Sequence, residues 1–176
     1  MYAREAVEII ARSYIPIEVS DLKKQRGFSL IELLIVVAII LIIAAIAIPN
    51  LLRSRMAANE ASAVGSIRTV NTSSVTYSTT YPDVGYPTTL AQLAPSAAAS
   101  SSAADLIDSV LSAGTKSGYT FTMTAGAGAS TPQTTYTVAA APVSTSSGTR
   151  YFFSDQSGVI RGLAGAAATS TSSPLQ

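Results

Sequence analysis

From Phe28 to Ile48 the chain reads FSLIELLIVVAIILIIAAIAI, 21 residues with one charge, Glu32. A helix rises ~1.5 Å per residue, so this stretch spans ~31 Å, the thickness of a bilayer's hydrocarbon core. It is apolar on every side. A chain of 176 residues has too little material to enclose such a helix in a soluble core, so a membrane span is the stronger reading. Lys23, Lys24 and Arg26 stand before the span, and Arg53 and Arg55 stand after it. That balance places the N-terminus in the cytoplasm and everything beyond Ile48 on the far side.

The rest of the chain divides around this element. Residues 1–27 form a polar leader with five basic and four acidic side chains. Pro49 closes the purely apolar run. Within a continuous helix it removes one backbone hydrogen bond and is expected to act as a helix break, kink or weak point. Helical periodicity then resumes over 49–80. Leu52, Met56, Ala63, Ile67, Val70, Ser74, Tyr77 and Tyr81 share one face, and Arg53, Arg55, Asn59, Glu60, Ser66 and Arg68 fall mostly off it. One long helix from about Phe28 to the mid or late 70s follows. Its end is the least secure part, because Thr72–Thr80 is rich in β-branched residues and Ser.

Residues 81–164 read as a globular head. Short helices are expected at Thr89–Leu93 and Ala103–Ala113, with PSAAASSSAA over Pro95–Ala104 as a mobile surface loop. Strand signals follow at Tyr119–Thr124, Thr134–Ala140, Tyr151–Ser154 and Val159–Arg161, with a tight turn at Asp155-Gln156-Ser157-Gly158. The expected fold class is α+β: a long N-terminal helix on a small antiparallel sheet of three or four strands. Residues 165–176 have no periodicity and read as a disordered tail.

Composition narrows the chemistry. The chain has no His, Cys or Trp, which excludes His-based triads, Cys or His zinc sites and disulfides. Charged residues are only 12%, and 25 Ser and 19 Thr supply the polarity instead. No Gly-rich phosphate loop and no nucleic-acid motif is present, so an enzyme is not expected, and neither is a cofactor. Asp105, Asp108 and Asp155 are the only candidates for calcium in the head. They form no dense carboxylate cluster, and no metal is expected. Asn71-Thr72-Ser73 fits the N-glycosylation pattern but lies on the helix. Tyr77, Tyr81 and Tyr86 read as packing residues, because no aromatic between Phe28 and Tyr77 would continue an electron path.

One junction carries the functional signal. Lys23-Lys24-Gln25-Arg26-Gly27-Phe28-Ser29-Leu30-Ile31-Glu32, followed by the span and Pro49, resembles the N-terminal signature of type IV prepilins and of the pseudopilins of type II secretion. The resemblance covers roughly Lys23 to Met56. It implies cleavage after Gly27 by a prepilin peptidase/methyltransferase, N-methylation of Phe28, a role in assembly for Glu32 and a loosening point at Pro49. The residues supply reasons. Gly27 has no Cβ to obstruct a protease cleft, and the basic cluster holds the leader at the cytoplasmic face. An ordinary secretory signal is cut after its apolar region; here the helix would stay with the product. Glu32 is costly in lipid, roughly 2.5–3.5 kcal/mol on insertion scales. The new α-amine of Phe28, best taken from a neighbouring subunit, would be its partner and would reward correct register. The plainer reading is that Glu32 snorkels to the interface and supports the helix N-terminus.

The resemblance therefore implies a structural pilin, made as an inner-membrane prepilin, handed to an assembly platform and packed with copies of itself or other pilins into an extracellular filament for adhesion, motility or DNA uptake. The rival reading is a pseudopilin of a type II secretion system, and a simple signal-anchored surface protein is a third. Two departures stand out. The chain lacks the Cys pair that closes a C-terminal loop in many type IV pilins. The leader is also long, and because Val19–Gly27 alone would serve as a short one, translation is expected to start near Val19.

Overall fold

The computed structural model describes residues 27–126 and 131–175. The leader through Arg26, with Lys23, Lys24 and the expected start near Val19, lies outside the described residues. The chain divides into two compact units, residues 1–44 and 45–176.

Helix α1 runs Leu30–Thr80 and contributes to both. It begins two residues later than the apolar run because Ser29 is its N-terminal cap: Leu33 N–H donates to Ser29 O at 3.2 Å, and Ser29 N–H donates to Glu32 Oε2 at 2.9 Å. Pro49 does not end the helix, which continues through it. Loss of one N–H removes a single bond, the one that would reach Ala45 O, and the turns on either side keep theirs. From Leu30 to Leu52 every large apolar side chain is exposed. Among the described residues, α1 is the one helix long and apolar enough to cross a membrane.

In the second unit α1 becomes one-sided. Ala63, Ser66, Ile67, Val70, Asn71, Ser73, Ser74 and Tyr77 are buried. The expected face is largely the one that packs, with two corrections. Leu52 remains 46% exposed, and Ser66, assigned to the polar side, is buried. The Thr/Ser-rich end holds as helix to Thr80. There Ser78, Thr79 and Thr80 turn their hydroxyls back onto carbonyls of α1, Thr80 Oγ1 to Thr76 O at 2.9 Å, while Tyr77 anchors the turn in the core.

A 3₁₀ turn, Leu90–Leu93, and a one-turn helix α2, Ser109–Ser112, replace the two expected short helices. The second is far shorter than Ala103–Ala113. Between them Pro95–Ala104 is hydrogen-bonded to its surroundings, correcting the expected mobile loop. Ser100 and Ala103 exchange backbone bonds at 3.0 and 3.1 Å, Ala104 N–H donates to Gln92 O at 2.9 Å, and Tyr77 Oη donates to Ser101 O.

The sheet is an antiparallel meander of five strands in sequence order: β1 Thr115–Lys116, β2 Tyr119–Ala125, β3 Tyr136–Pro142, β4 Arg150–Asp155 and β5 Arg161–Ala164. The fifth, β1, is two residues long and leaves no period in the sequence. It is joined to β2 by Ser117-Gly118, both with positive φ (50° and 74°), the geometry of a two-residue hairpin turn. Alternation on β2 puts Tyr119, Phe121 and Met123 inward and Thr120, Thr122 and Thr124 outward. Tyr136, Val138 and Ala140 of β3 and Phe152 of β4 complete the inner face, which forms one core with Ile67, Val70 and Tyr77 of α1.

Asp155-Gln156-Ser157-Gly158 is the expected turn, with Gly158 N–H on Asp155 O at 2.9 Å and φ +72° at Gly158. The segment after Gly165, expected to be disordered, is instead ordered through Leu175. Gly162 N–H donates to Ser173 O at 3.1 Å, Leu175 N–H donates to Ile160 O at 2.8 Å, and Leu175 packs against the core. Its order comes from backbone pairing along β5, which needs no side-chain pattern. The arrangement is α+β and pilin-like: a long N-terminal apolar helix and a C-terminal five-stranded antiparallel sheet.

Candidate processing and assembly site

Gly27, Phe28, Ser29 and Glu32 lie together at the start of α1. Gly27 and Phe28 precede the first helical turn in non-helical backbone. Phe28 is 81% exposed, and nothing lies within 4 Å of where a Cβ on Gly27 would sit. The Gly27–Phe28 peptide is therefore exposed and non-helical, the state a protease cleft needs in order to bind it.

Glu32 occupies the third helical position after Ser29, so Ser29-Leu30-Ile31-Glu32 has the S-x-x-E spacing of a capping box. Its carboxylate accepts the Ser29 N–H, one of the unsatisfied donors of the helix start, and its charge also suits the positive end of the helix dipole. This corrects the premise that Glu32 lacks a partner before cleavage. The signal was present in the sequence as Ser three residues before Glu at the head of an apolar run. Pro49 lies in the second unit, within α1, and is not part of this cluster.

The other candidates are structural. Asn71 is buried and bridges three elements: its Nδ2 donates to Ser154 Oγ of β4 at 2.8 Å, and Tyr136 Oη of β3 donates to its Oδ1 at 3.1 Å. A glycan cannot be attached to a side chain so enclosed. Asp108 caps α2, accepting from Val110 and Leu111 N–H at 3.0 and 2.9 Å, and pairs with Lys116 at 2.8 Å. The Lys116 ammonium and the Leu111 N–H hold its carboxyl below the usual range. Asp155 serves its own turn through Ser157 N–H at 2.9 Å, and Asp105 stands exposed at φ +54°. Among the described residues no three carboxylates gather to hold an ion. Tyr77 stacks on Tyr81, and Tyr86 on Tyr136, each pair 5.0 Å between centroids, as packing pairs of the head.

Sequence reasoning missed the polar clasp along α1. Glu60 Oε1 accepts from Thr149 and Arg150 N–H at 2.9 and 3.3 Å, and Asn59 Nδ2 donates to Ser147 O at 2.9 Å. These residues sit off the apolar stripe, so periodicity could not find them. Two open hollows, about 370 and 280 Å³, flank the Val143–Thr149 loop. One holds Tyr151 and the other Arg55, and neither joins a nucleophile to a base.

A Gly-Phe junction exposed directly before an apolar helical stretch, whose one charge up to Ile48 caps its own start, resembles a prepilin-type N-terminus. Residues 22–48 match the family described as the prokaryotic N-terminal methylation motif. Over 39 residues the chain is 59% identical to the type IV wide pilus major component PilA4 of Thermus thermophilus. That match covers 22% of this chain and 30% of the relative. No solved structure matches significantly. The chain thus resembles type IV prepilins in its N-terminal methylation motif, and it spans less than a third of that relative's length.

Proposed function

We propose that the chain is the precursor of a pilus subunit, cut after Gly27, N-methylated on Phe28, and packed as residues 28–176 into a filament with copies of itself or other pilins. The observation that carries this is the exposed Gly27–Phe28 peptide directly before an apolar, unburied helix. In this reading Lys23, Lys24 and Arg26 hold the leader at the cytoplasmic face of the inner membrane, where a peptidase/methyltransferase acts. An assembly platform then moves the helix from lipid to a fibre core of like helices. The filament serves adhesion, surface motility or DNA uptake.

Glu32 then has two successive partners. In the precursor it caps Ser29. After cleavage the Phe28 amine, with an ordinary α-amino pKa of ~8, is cationic. In a fibre the amine of a neighbouring copy would compete for the carboxylate and reward axial register. Pro49, with one helical bond already missing, is where α1 would loosen as subunits pack. Mass spectrometry of sheared surface material tests the reading. A species beginning at methylated Phe28 is expected, and an intact N-terminus in cells with active peptidase would refute it.

A further inference from the structure

Removing residues 1–27 leaves six basic and six acidic side chains. Most are satisfied within the fold. Glu32 caps α1, Glu60 holds the start of β4, Asp108 pairs with Lys116, Asp155 closes its turn, Arg161 donates to Ser172 O at 3.1 Å, and Arg150 lies over the Phe152 ring at 5.8 Å. The side chains of Arg53, Arg55, Arg68, Asp83 and Asp105 make no hydrogen bond or ion pair among the described residues, and all five residues are exposed.

Along α1 the arginines come before the aspartates, with Arg68 between the two ends. Arg53 and Arg55 sit one turn past Pro49, at the early end of the part of α1 that belongs to the head unit. Asp83 follows the last turn of α1. Asp105 adjoins Leu106, whose carbonyl accepts from Ser73 Oγ at 3.0 Å, which fixes its level along the helix. From Arg53 to Ser73 is 20 residues of helix, an axial separation of ~30 Å, and to Thr80 ~40 Å. Screening at 0.1 M salt decays over ~10 Å, so Arg53 and Arg55 are not neutralised by the far end within one molecule; Arg68, ~8 Å from the Ser73 level, is the one unpaired arginine near that end.

We propose that this polarity is a copy-to-copy contact: Arg53 and Arg55 of one subunit face Asp83 and Asp105 of the next, displaced along the fibre axis. The inference rests on the filament reading above. An antiparallel pair could match both patches twice over, but subunits drawn from one membrane share one orientation, so the contact is heterologous. Repeated with a fixed rotation and rise, it generates an open helical assembly rather than a closed dimer. A lipid surface would use the arginines but leave both aspartates idle; a second copy uses all four and leaves the pair neutral. Such exposed pairs select register and orientation more than they add affinity.

Charge reversal in the full chain, in cells, tests it. Arg53→Glu with Arg55→Glu, and separately Asp83→Lys with Asp105→Lys, should each abolish sheared filaments while leaving insertion and cleavage of the subunit at wild-type levels. The fourfold variant should restore filaments. Filaments from either reversed pair, or loss without restoration in the fourfold variant, would overturn the pairing. Loss of membrane-held subunit on reversing the arginines alone would assign them to lipid phosphate instead. Absence of filaments from the wild type would refute the filament reading and this inference with it, whereas wild-type filaments with indifferent variants refute only the inference.

Discussion

Replacing Asn71 by Ala should loosen the head by about 2 kcal/mol. Asn71 joins α1 to β3 and β4 through two buried bonds, 2.8 Å to Ser154 Oγ and 3.1 Å from Tyr136 Oη. A buried hydrogen bond contributes about 1 kcal/mol net, and a stranded donor costs a further ~1–3 kcal/mol. The stranding is limited here. Ser154 Oγ keeps its bond to Val159 O at 3.1 Å, and the Tyr136 hydroxyl has the Ser74 oxygen beside it. The two lost bonds therefore set the scale. Tyr136→Phe removes one of them and should cost about 1 kcal/mol. The double variant should cost about 2 kcal/mol rather than 3, a coupling of about 1 kcal/mol, because the Tyr136–Asn71 bond is lost only once. Urea unfolding of the full chain in detergent, followed by tyrosine fluorescence, measures this, since the chain has eight Tyr and no Trp to mask them. A cost below ~0.5 kcal/mol for Asn71→Ala, or strict additivity, would refute the bridge.

Three further outcomes are expected. Tyr119 and Tyr136 are buried, and burial pushes each hydroxyl up to about 12 from its ordinary 10.0. The folded state thus holds these protons more tightly than the unfolded chain, so their stabilising effect is complete below pH 10 and is lost as pH rises through about 12. An alkaline titration read by tyrosinate absorbance should show delayed ionisation of these two until the head unfolds. For Glu32, Gln retains an acceptor for Ser29 N–H but no charge. If register depends on the Phe28 amine, Glu32→Gln should lose filaments as Glu32→Ala does, and a normal filament yield from Gln would reduce Glu32 to a cap. Gly85→Ala should destabilise the head by more than ~1 kcal/mol, because φ is +80° and the new Cβ would stand 2.2 Å from Gln133 O. A melting temperature equal to wild type would contradict that close approach.

How much was legible depended on whether order came from side-chain pattern or from backbone pairing. The apolar helix announced itself because Phe28–Ile48 needs no tertiary partner to be recognised. Strands β2 to β5 were placed within about three residues at each end, because Tyr119, Phe121 and Met123, and Tyr136, Val138 and Ala140, alternate with polar or small neighbours. The Ser/Thr-rich segments misled. Pro95–Ala104 and the chain after Gly165 read as shapeless, yet their main chains pair with Gln92, Ile160 and Gly162. At the site, Gly27, Phe28 and Glu32 were legible as a spacing. The capping role of Ser29 is written in the same four residues, as the S-x-x-E spacing Ser29 to Glu32. Asn71 shows the reverse error: a modification triplet that the fold turns inward.

The strand-like return of Ser173–Leu175 along β5 has a consequence at the scale of a whole fibre. It occupies backbone groups that a terminal strand would otherwise offer to any passing chain. The opposite border is the two residues of β1 and the stretch of β2 beyond them, where β2 faces outward with Thr122 and Thr124. If the chain packs into the filament proposed above, every such border would be displayed once per subunit, and a weak sticking tendency on one head would be multiplied along its length into bundling. In the filament proposed above, the covered β5 border would keep neighbouring fibres from zipping together along that side.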